Sequence, residues 1–108
     1  MNSEQKILNL LTICRKASKL VIGFDAVCEE IKKGNAKSVI LANDISPKTK
    51  KEIDFYCSKA DITAETAPFD KEQIRLAIGK SAAVIAVCDD GFAKRFTELL
   101  NEVGLNDK

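Results

Sequence analysis

Two short runs in this chain leave no room for a wet face. They are Ser38-Val39-Ile40-Leu41-Ala42 and Ala83-Val84-Ile85-Ala86-Val87. A strand with one solvated side alternates apolar and polar residues, so unbroken apolar runs require helices packed on both faces of the sheet. The segments between these runs supply the helices. Ile7, Leu8, Leu11 and Cys14 mark a first helix, with Ser3 as the expected cap. Phe24, Val27, Cys28 and Ile31 fall at i, i+3, i+4 and i+7, one stripe of a second helix that Gly34 ends. Ser46 and Pro47 open a third, expected to bury Ile53, Tyr56, Cys57 and Ala60. Asp70-Lys71-Glu72-Gln73 has the form of a capping box, with Phe69 and Ile74 placed as a hydrophobic staple, and that fourth helix stops at Gly79. Asp89 or Asp90 caps a fifth, which buries Phe92, Phe96, Leu99, Leu100 and Val103. Short strands are expected at Leu20 to Ile22 and near Ile62 to Glu65. Five helices alternating with four strands predict an α/β chain built as a three-layer α/β/α sandwich around a four-stranded mixed sheet. Residues 1–108 read as one domain, frayed only from Asn106 to Lys108.

Composition excludes several function classes. The chain has four cysteines, no Cys-x-x-Cys pair and no histidine, which argues against zinc and against His-dependent catalysis. Each cysteine sits on an apolar stripe or in a core strand, as buried reduced thiols of a cytoplasmic protein do. The longest apolar run, Ala82 to Cys88, is far too short to span a bilayer, and nothing ahead of it reads as a signal peptide. No membrane, metal or cofactor is implied. Net charge is only +1, yet residues 1–60 hold eleven Lys and Arg against seven Asp and Glu, and the remainder is acidic. A basic half fits a localised anionic partner.

The stretch from Arg15 to Asp44 carries the functional signal. Arg15, Lys16 and Lys19 precede the strand Leu20-Val21-Ile22, and Gly23 alone joins that strand to the second helix. Such a turn offers unpaired N–H groups and a positive dipole end, here with basic residues in its vicinity, which suits a phosphate backbone. Other motifs read as plain structure. Gly79-Lys80-Ser81 lacks the upstream glycine of a P-loop and precedes a strand, so it is a helix terminus. Asp89-Asp90 with Asp44 has the residue types of a phosphoacceptor site in the wrong chain order, and helix capping explains the pair. Lys48, Lys50 and Lys51 open the third helix as a solvated basic face.

The residues Lys19-Leu20-Val21-Ile22-Gly23, the run Lys33-Gly34-Asn35-Ala36-Lys37-Ser38-Val39-Ile40-Leu41-Ala42-Asn43-Asp44, then Pro47, Cys57 and Ile78-Gly79-Lys80 before Val84-Ile85-Ala86-Val87 resemble the L-seven-Ae / L-thirty-e ribosomal protein family. The resemblance is to its small bacterial branch of YlxQ-type proteins. It implies an L-thirty-e-like fold and a non-catalytic, monomeric RNA-binding protein. Its partners would be structured RNA, whether ribosomal or another kink-turn-containing RNA, and the ribosome itself. In that family the strand-to-helix turn reads Gly-x-Asn-Glu, and the polar pair meets guanine edges. Here the glycine is Gly23 and the pair becomes Asp25 and Ala26, with Glu29 where a basic residue follows. Asp25 can still accept from guanine N–H groups, whereas Ala26 cannot hydrogen-bond a base edge. The expected RNA-contacting set is Gly23, Phe24, Asp25 and Ala26 in the turn, with Gly79, Lys80 and Ser81 in the loop before the last strand. Lys16, Lys19 and Lys37, together with Lys80, are expected on the backbone. The alternative from another class is a protein–protein adaptor on the same fold with little RNA affinity, favoured by the near-neutral charge, Ala26 and Glu29.

Overall fold

Alternation along the two apolar runs sorts their side chains into two separate cores. In the computed structural model, which describes residues 2–106, β2 (Ser38–Leu41) and β4 (Val84–Val87) pair antiparallel with Val39 opposite Ala86, Ile40 opposite Ile85 and Leu41 opposite Val84. Every residue of both strands is buried. Ile40, Ile85 and Val87 join one core with Ile7, Leu11, Phe96 and Leu99. Val39, Leu41, Val84 and Ala86 join the other with Val27, Ile31, Ile53 and Cys57. Helices α1 (Ser3–Lys16), α4 (Lys71–Ile78) and α5 (Asp90–Asn106) cover the first face. Helices α2 (Phe24–Lys33) and α3 (Pro47–Ala60) cover the second. The three-layer sandwich expected from the sequence is the observed architecture.

Short strands close both edges of the sheet. β1 (Leu20–Ile22) pairs antiparallel with β4, and β3 (Ala64–Thr66) pairs parallel with β2, giving the order β1-β4-β2-β3. β3 begins two residues later than the sequence suggests. The cause is the end of α3, where Asp61 takes the left-handed conformation (φ 58°) and the Ile62 N–H reaches back to the Cys57 carbonyl at 2.9 Å. That Schellman-type closure consumes residues 61 and 62 before the chain can extend. Ala42 and Ala83 lie just outside their strands but remain joined, the Ala42 N–H donating to the Ala83 carbonyl at 2.9 Å.

Several local assignments shift by one residue or one face. Asn2, not Ser3, caps α1: its side chain accepts from the Gln5 N–H at 2.8 Å, while the Ser3 hydroxyl turns toward Glu102. Tyr56 is half-buried and Ala60 is exposed, because α3 turns only the Ile53 and Cys57 stripe inward. Asp89 caps α5 by accepting from the Phe92 N–H at 2.9 Å. Phe92 and Leu100 are half-buried at the stripe's margins, and Ala93 takes an inner position. The α4 capping box is complete, with Asp70 and Gln73 bonding reciprocally and Phe69 and Ile74 both buried. Asn106 is the last residue of α5; Asp107 and Lys108, the rest of the stretch expected to fray, lie outside the described residues.

Leu41 is 1% exposed at the middle of the α2–α3 core. Leu41→Ala is expected to lower the unfolding free energy by about 2–5 kcal/mol, from lost transfer energy plus the cavity. Equilibrium denaturation checks this, and a loss below about 1 kcal/mol would mean that the central strand is not enclosed on both faces.

Candidate nucleic-acid interface

The turn from β1 into α2 is held from below and open above. Gly23 sits at φ 103° and ψ 149°, where any side chain is strained even though a methyl group there would meet nothing within 4 Å. Its N–H donates to the Val84 carbonyl at 3.0 Å, which fastens the turn to the first residue of β4. Its carbonyl accepts the first helical bond, from the Val27 N–H at 2.9 Å. The N–H groups of Phe24, Asp25 and Ala26 make up the rest of the first turn, and no side chain caps the helix. Asp25 and Ala26 are exposed; Phe24 is half-buried against the α2–α3 core and anchors the turn. One turn on, Glu29 is exposed and pairs with Lys33 at 3.6 Å.

Helix α3 brings a second N-terminus to the same end of the sheet. The Lys32 ammonium lies 5.3 Å from the Tyr56 ring centre, and Cys28 lies within the field of Glu52. The two helices lie side by side and parallel, because each follows a strand, β1 or β2, that runs antiparallel to β4. Lys48 is exposed in the first turn of α3. Ser46 caps α3, accepting from the Thr49 N–H at 3.2 Å. The loop of residues 79–83 arrives at this end as well, because the Ala83 carbonyl meets Ala42 and the next residue, Val84, binds Gly23. Gly79 ends α4 in the left-handed conformation (φ 79°), and Lys80 and Ser81 are exposed.

The predicted residues therefore divide between two ends of the sheet. Gly23, Phe24, Asp25, Ala26, Gly79, Lys80 and Ser81 belong to the end formed by the start of β4. Lys19 and Lys37 lie at the other end of that strand: the Lys19 carbonyl accepts from Cys88 and the Lys37 N–H donates to Val87. Lys16 ends α1 on that same side, three residues before Lys19. The three residues of β1, four steps of extended chain, separate Lys19 from Gly23 by about 13 Å at ~3.3 Å per step. The basic cluster is near Gly23 in sequence but not beside it in space, because β1 intervenes. Lys48, which in sequence is part of a solvated basic face, lies in the first turn of α3, at the same end of the sheet as the α2 N-terminus. Spacing alone could not show this, since it depends on the direction in which the paired strands run.

The acidic residues are equally dispersed. Asp44 comes after β2 and accepts from the Lys71 N–H at 3.1 Å, so it helps to hold the start of α4. Asp89 comes after β4, which runs the opposite way, and caps α5. The two carboxylates stand at opposite ends of the sheet and cannot form one phosphoacceptor cluster. Among the described residues, no group of three or more His, Cys, Asp and Glu side chains is placed to hold a metal ion.

Comparison with known proteins bears on this geometry. The model of the ribosomal protein L7Ae/L30e/S12e/Gadd45 family matches residues 5–97. The RNA-binding protein YlxQ of Enterococcus faecium is 34% identical over 98 residues, covering 91% of this chain and 94% of that protein. The RNA-binding protein YlxQ of Bacillus subtilis is 34% identical over 97 residues, covering 85% of this chain and 92% of that protein. A solved structure of a Bacillus halodurans protein of unknown function superposes with a TM-score of 0.85 at 31% identity, covering 90% of this chain and 98% of that one. The matched family is one of RNA-binding and ribosomal proteins, not of enzymes.

Thiol chemistry is suppressed by the packing. Burial, with the neighbouring charge of Asp89 second, pushes the Cys14 thiol from 9.0 to about 11. Burial likewise raises Cys57 to about 11. Cys28 and Cys88 are also raised by burial, but Cys88, at the end of β4, is only half-buried. Because the folded-state values of Cys14 and Cys57 lie above the unfolded one, their contribution to stability is intact below pH 9 and is lost as pH rises toward 11. At pH 8 a maleimide is expected to modify one thiol, Cys88, in the native protein and all four after denaturation. Rapid native modification of all four, or a disulfide found by non-reducing mass analysis, would contradict the buried-thiol assignment.

Proposed function

The chain belongs to the ribosomal protein L7Ae/L30e/S12e/Gadd45 family, and from that membership we propose that it binds structured RNA through the N-terminal end of α2, without catalysis. The observation that carries this reading is the α2 N-terminus itself. Gly23 shapes the turn, no side chain occupies its first-turn amides, and the dipole end faces outward. Lys48 at the start of α3 and Lys80 in the loop before β4 are exposed at the same end of the sheet and supply positive charge for phosphates. Both YlxQ relatives carry the name RNA-binding protein.

The chemistry of the first turn sets the kind of recognition. Asp25 presents an acceptor, and Ala26 presents a methyl group where the resembling family places a hydrogen-bonding side chain. Backbone contacts then lead binding, and discrimination among bases is reduced. Kink-turn-containing RNA remains the preferred structured target, because the turn retains its glycine and one polar position. Lys16, Lys19 and Lys37 form a separate basic patch about 13 Å away, which a large RNA reaches while lying across β1.

A protein-docking role has one specific observation in its favour. Leu76 is 72% exposed beside a cavity of about 400 Å³ between α1 and α4. That face lies away from the α2 N-terminus and is compatible with a second partner.

Lys48→Ala combined with Lys80→Ala is expected to weaken stem-loop RNAs broadly and to flatten the salt dependence. The log–log slope should fall by about 0.9 for each phosphate of a duplex-like RNA that is no longer neutralised. Lys19→Ala with Lys37→Ala should have the smaller effect. Asp25→Asn with Ala26→Glu is expected to favour a kink-turn over a plain duplex by about 1–3 kcal/mol, on the scale of DNA base contacts. Filter-binding or anisotropy titrations read all three. No change in any variant would place the RNA site elsewhere and leave the adaptor reading in front.

A further inference from the structure

We infer that the outer face of α3 is a second RNA-contacting surface, which takes unpaired nucleotides by stacking on Phe55 and Tyr56. Phe55 is 57% exposed, an unusual position for a phenyl ring on a helix whose buried stripe, Ile53 and Cys57, is already complete. Its ring meets that of Tyr56 edge-on, with centres 5.7 Å apart. A lysine attends each ring: the Lys59 ammonium lies 4.9 Å from the Phe55 centre, and Lys32 reaches Tyr56 from the neighbouring helix. Lys51, Glu52 and the two rings line a shallow cavity of about 280 Å³. Asp54 on the same helix is already paired with Lys50 at 2.9 Å, so among the described residues Glu52 is the one acid lining the cavity.

The chemistry selects the occupant. Protein interfaces enrich aromatic residues but deplete lysine, because an ammonium is costly to desolvate. Single-stranded nucleic acid uses both together: bases stack on aromatic faces while lysines track the phosphates, and neither demands a particular sequence. Position agrees with chemistry. Lys48, Lys51, Phe55 and Lys59 follow the i, i+3, i+4 spacing of one helix face. The stripe starts at Lys48, at the same end of the sheet as the α2 N-terminus, and runs about 16 Å along α3. An RNA docked at the α2 end by its structured part would therefore extend a single-stranded flank along Lys51, Phe55 and Lys59.

This inference rests on the RNA-binding reading above, and one experiment separates the two. The probes are a stem-loop RNA with an oligoadenylate 3′ tail carrying 2-aminopurine, and the same stem-loop without the tail. The wild-type protein is expected to bind the tailed RNA more tightly and to quench the 2-aminopurine emission. Phe55→Ala, a change at an exposed position, should lower tailed-RNA affinity by about five- to hundredfold for each stacked base, abolish the quench, and leave the untailed stem-loop unaffected. Phe55→Trp should restore both. Equal binding of tailed and untailed RNA with no effect of Phe55→Ala overturns the inference and leaves the RNA-binding reading standing. Failure of the wild type to bind either RNA overturns both. Loss of a copurifying protein from Phe55→Ala, with both RNAs bound as before, would make this face a protein interface and also overturn it.

Discussion

Because β2 and β4 run antiparallel in the middle of the sheet with every residue buried, each must be covered on both sides, and all other elements are disposed to do so. Val39 and Leu41 demand α2 and α3; Ile40, Ile85 and Val87 demand α1, α4 and α5. The same pairing decides which loops share an end. The loop leaving β2 meets the loop entering β4, since Ala42 and Ala83 are hydrogen-bonded. Gly23 joins that end because β1 also runs antiparallel to β4 and terminates at Val84. The candidate interface is thus a consequence of strand direction. Its components come from separate parts of the chain that are not adjacent in sequence.

That geometry also rules out chemistry that the residue types alone would permit. Asp44 and Asp89 each come after a buried strand, as paired catalytic carboxylates do in many α/β proteins. Antiparallel strand direction puts them at opposite ends, and each already serves a helix N-terminus. The cysteines are held as apolar filler by burial. A helix start whose amides carry no side-chain cap, with Lys48 and Lys80 exposed at the same end of the sheet, stays open to a partner. This is the physical basis of the functional reading.

Much of the fold is legible in sequence because it depends on local pattern. The unalternating runs at Val39 and Val84 announce strands enclosed on both faces. The box at Asp70 and Gln73 announces the start of α4, and Gly34 and Gly79 announce two helix ends, each left-handed in the structure. The features that escape depend on distance in space. Asp61 is a non-glycine residue in the left-handed conformation, so nothing in the sequence marks the turn that delays β3. Lys19 looks adjacent to Gly23 because it is close in sequence, and only its pairing with Cys88 beyond β4 shows it a strand's length away. Lys48 belongs to an unremarkable charged face until α2 and α3 dock in parallel. Phe55 gives no periodic signal, since it lies off the buried stripe.

RNA docking on the α2 N-terminus is tested most directly by titrating isotopically labelled protein with a kink-turn stem-loop and following the backbone amide resonances. The largest shifts are expected at the Phe24, Asp25 and Ala26 amides, with accompanying changes at Lys48 and Lys80 and smaller ones at Lys19 and Lys37. Perturbations centred on Lys19 and Lys37, or on the α1–α4 face around Leu76, with the three α2 amides unmoved, would contradict it.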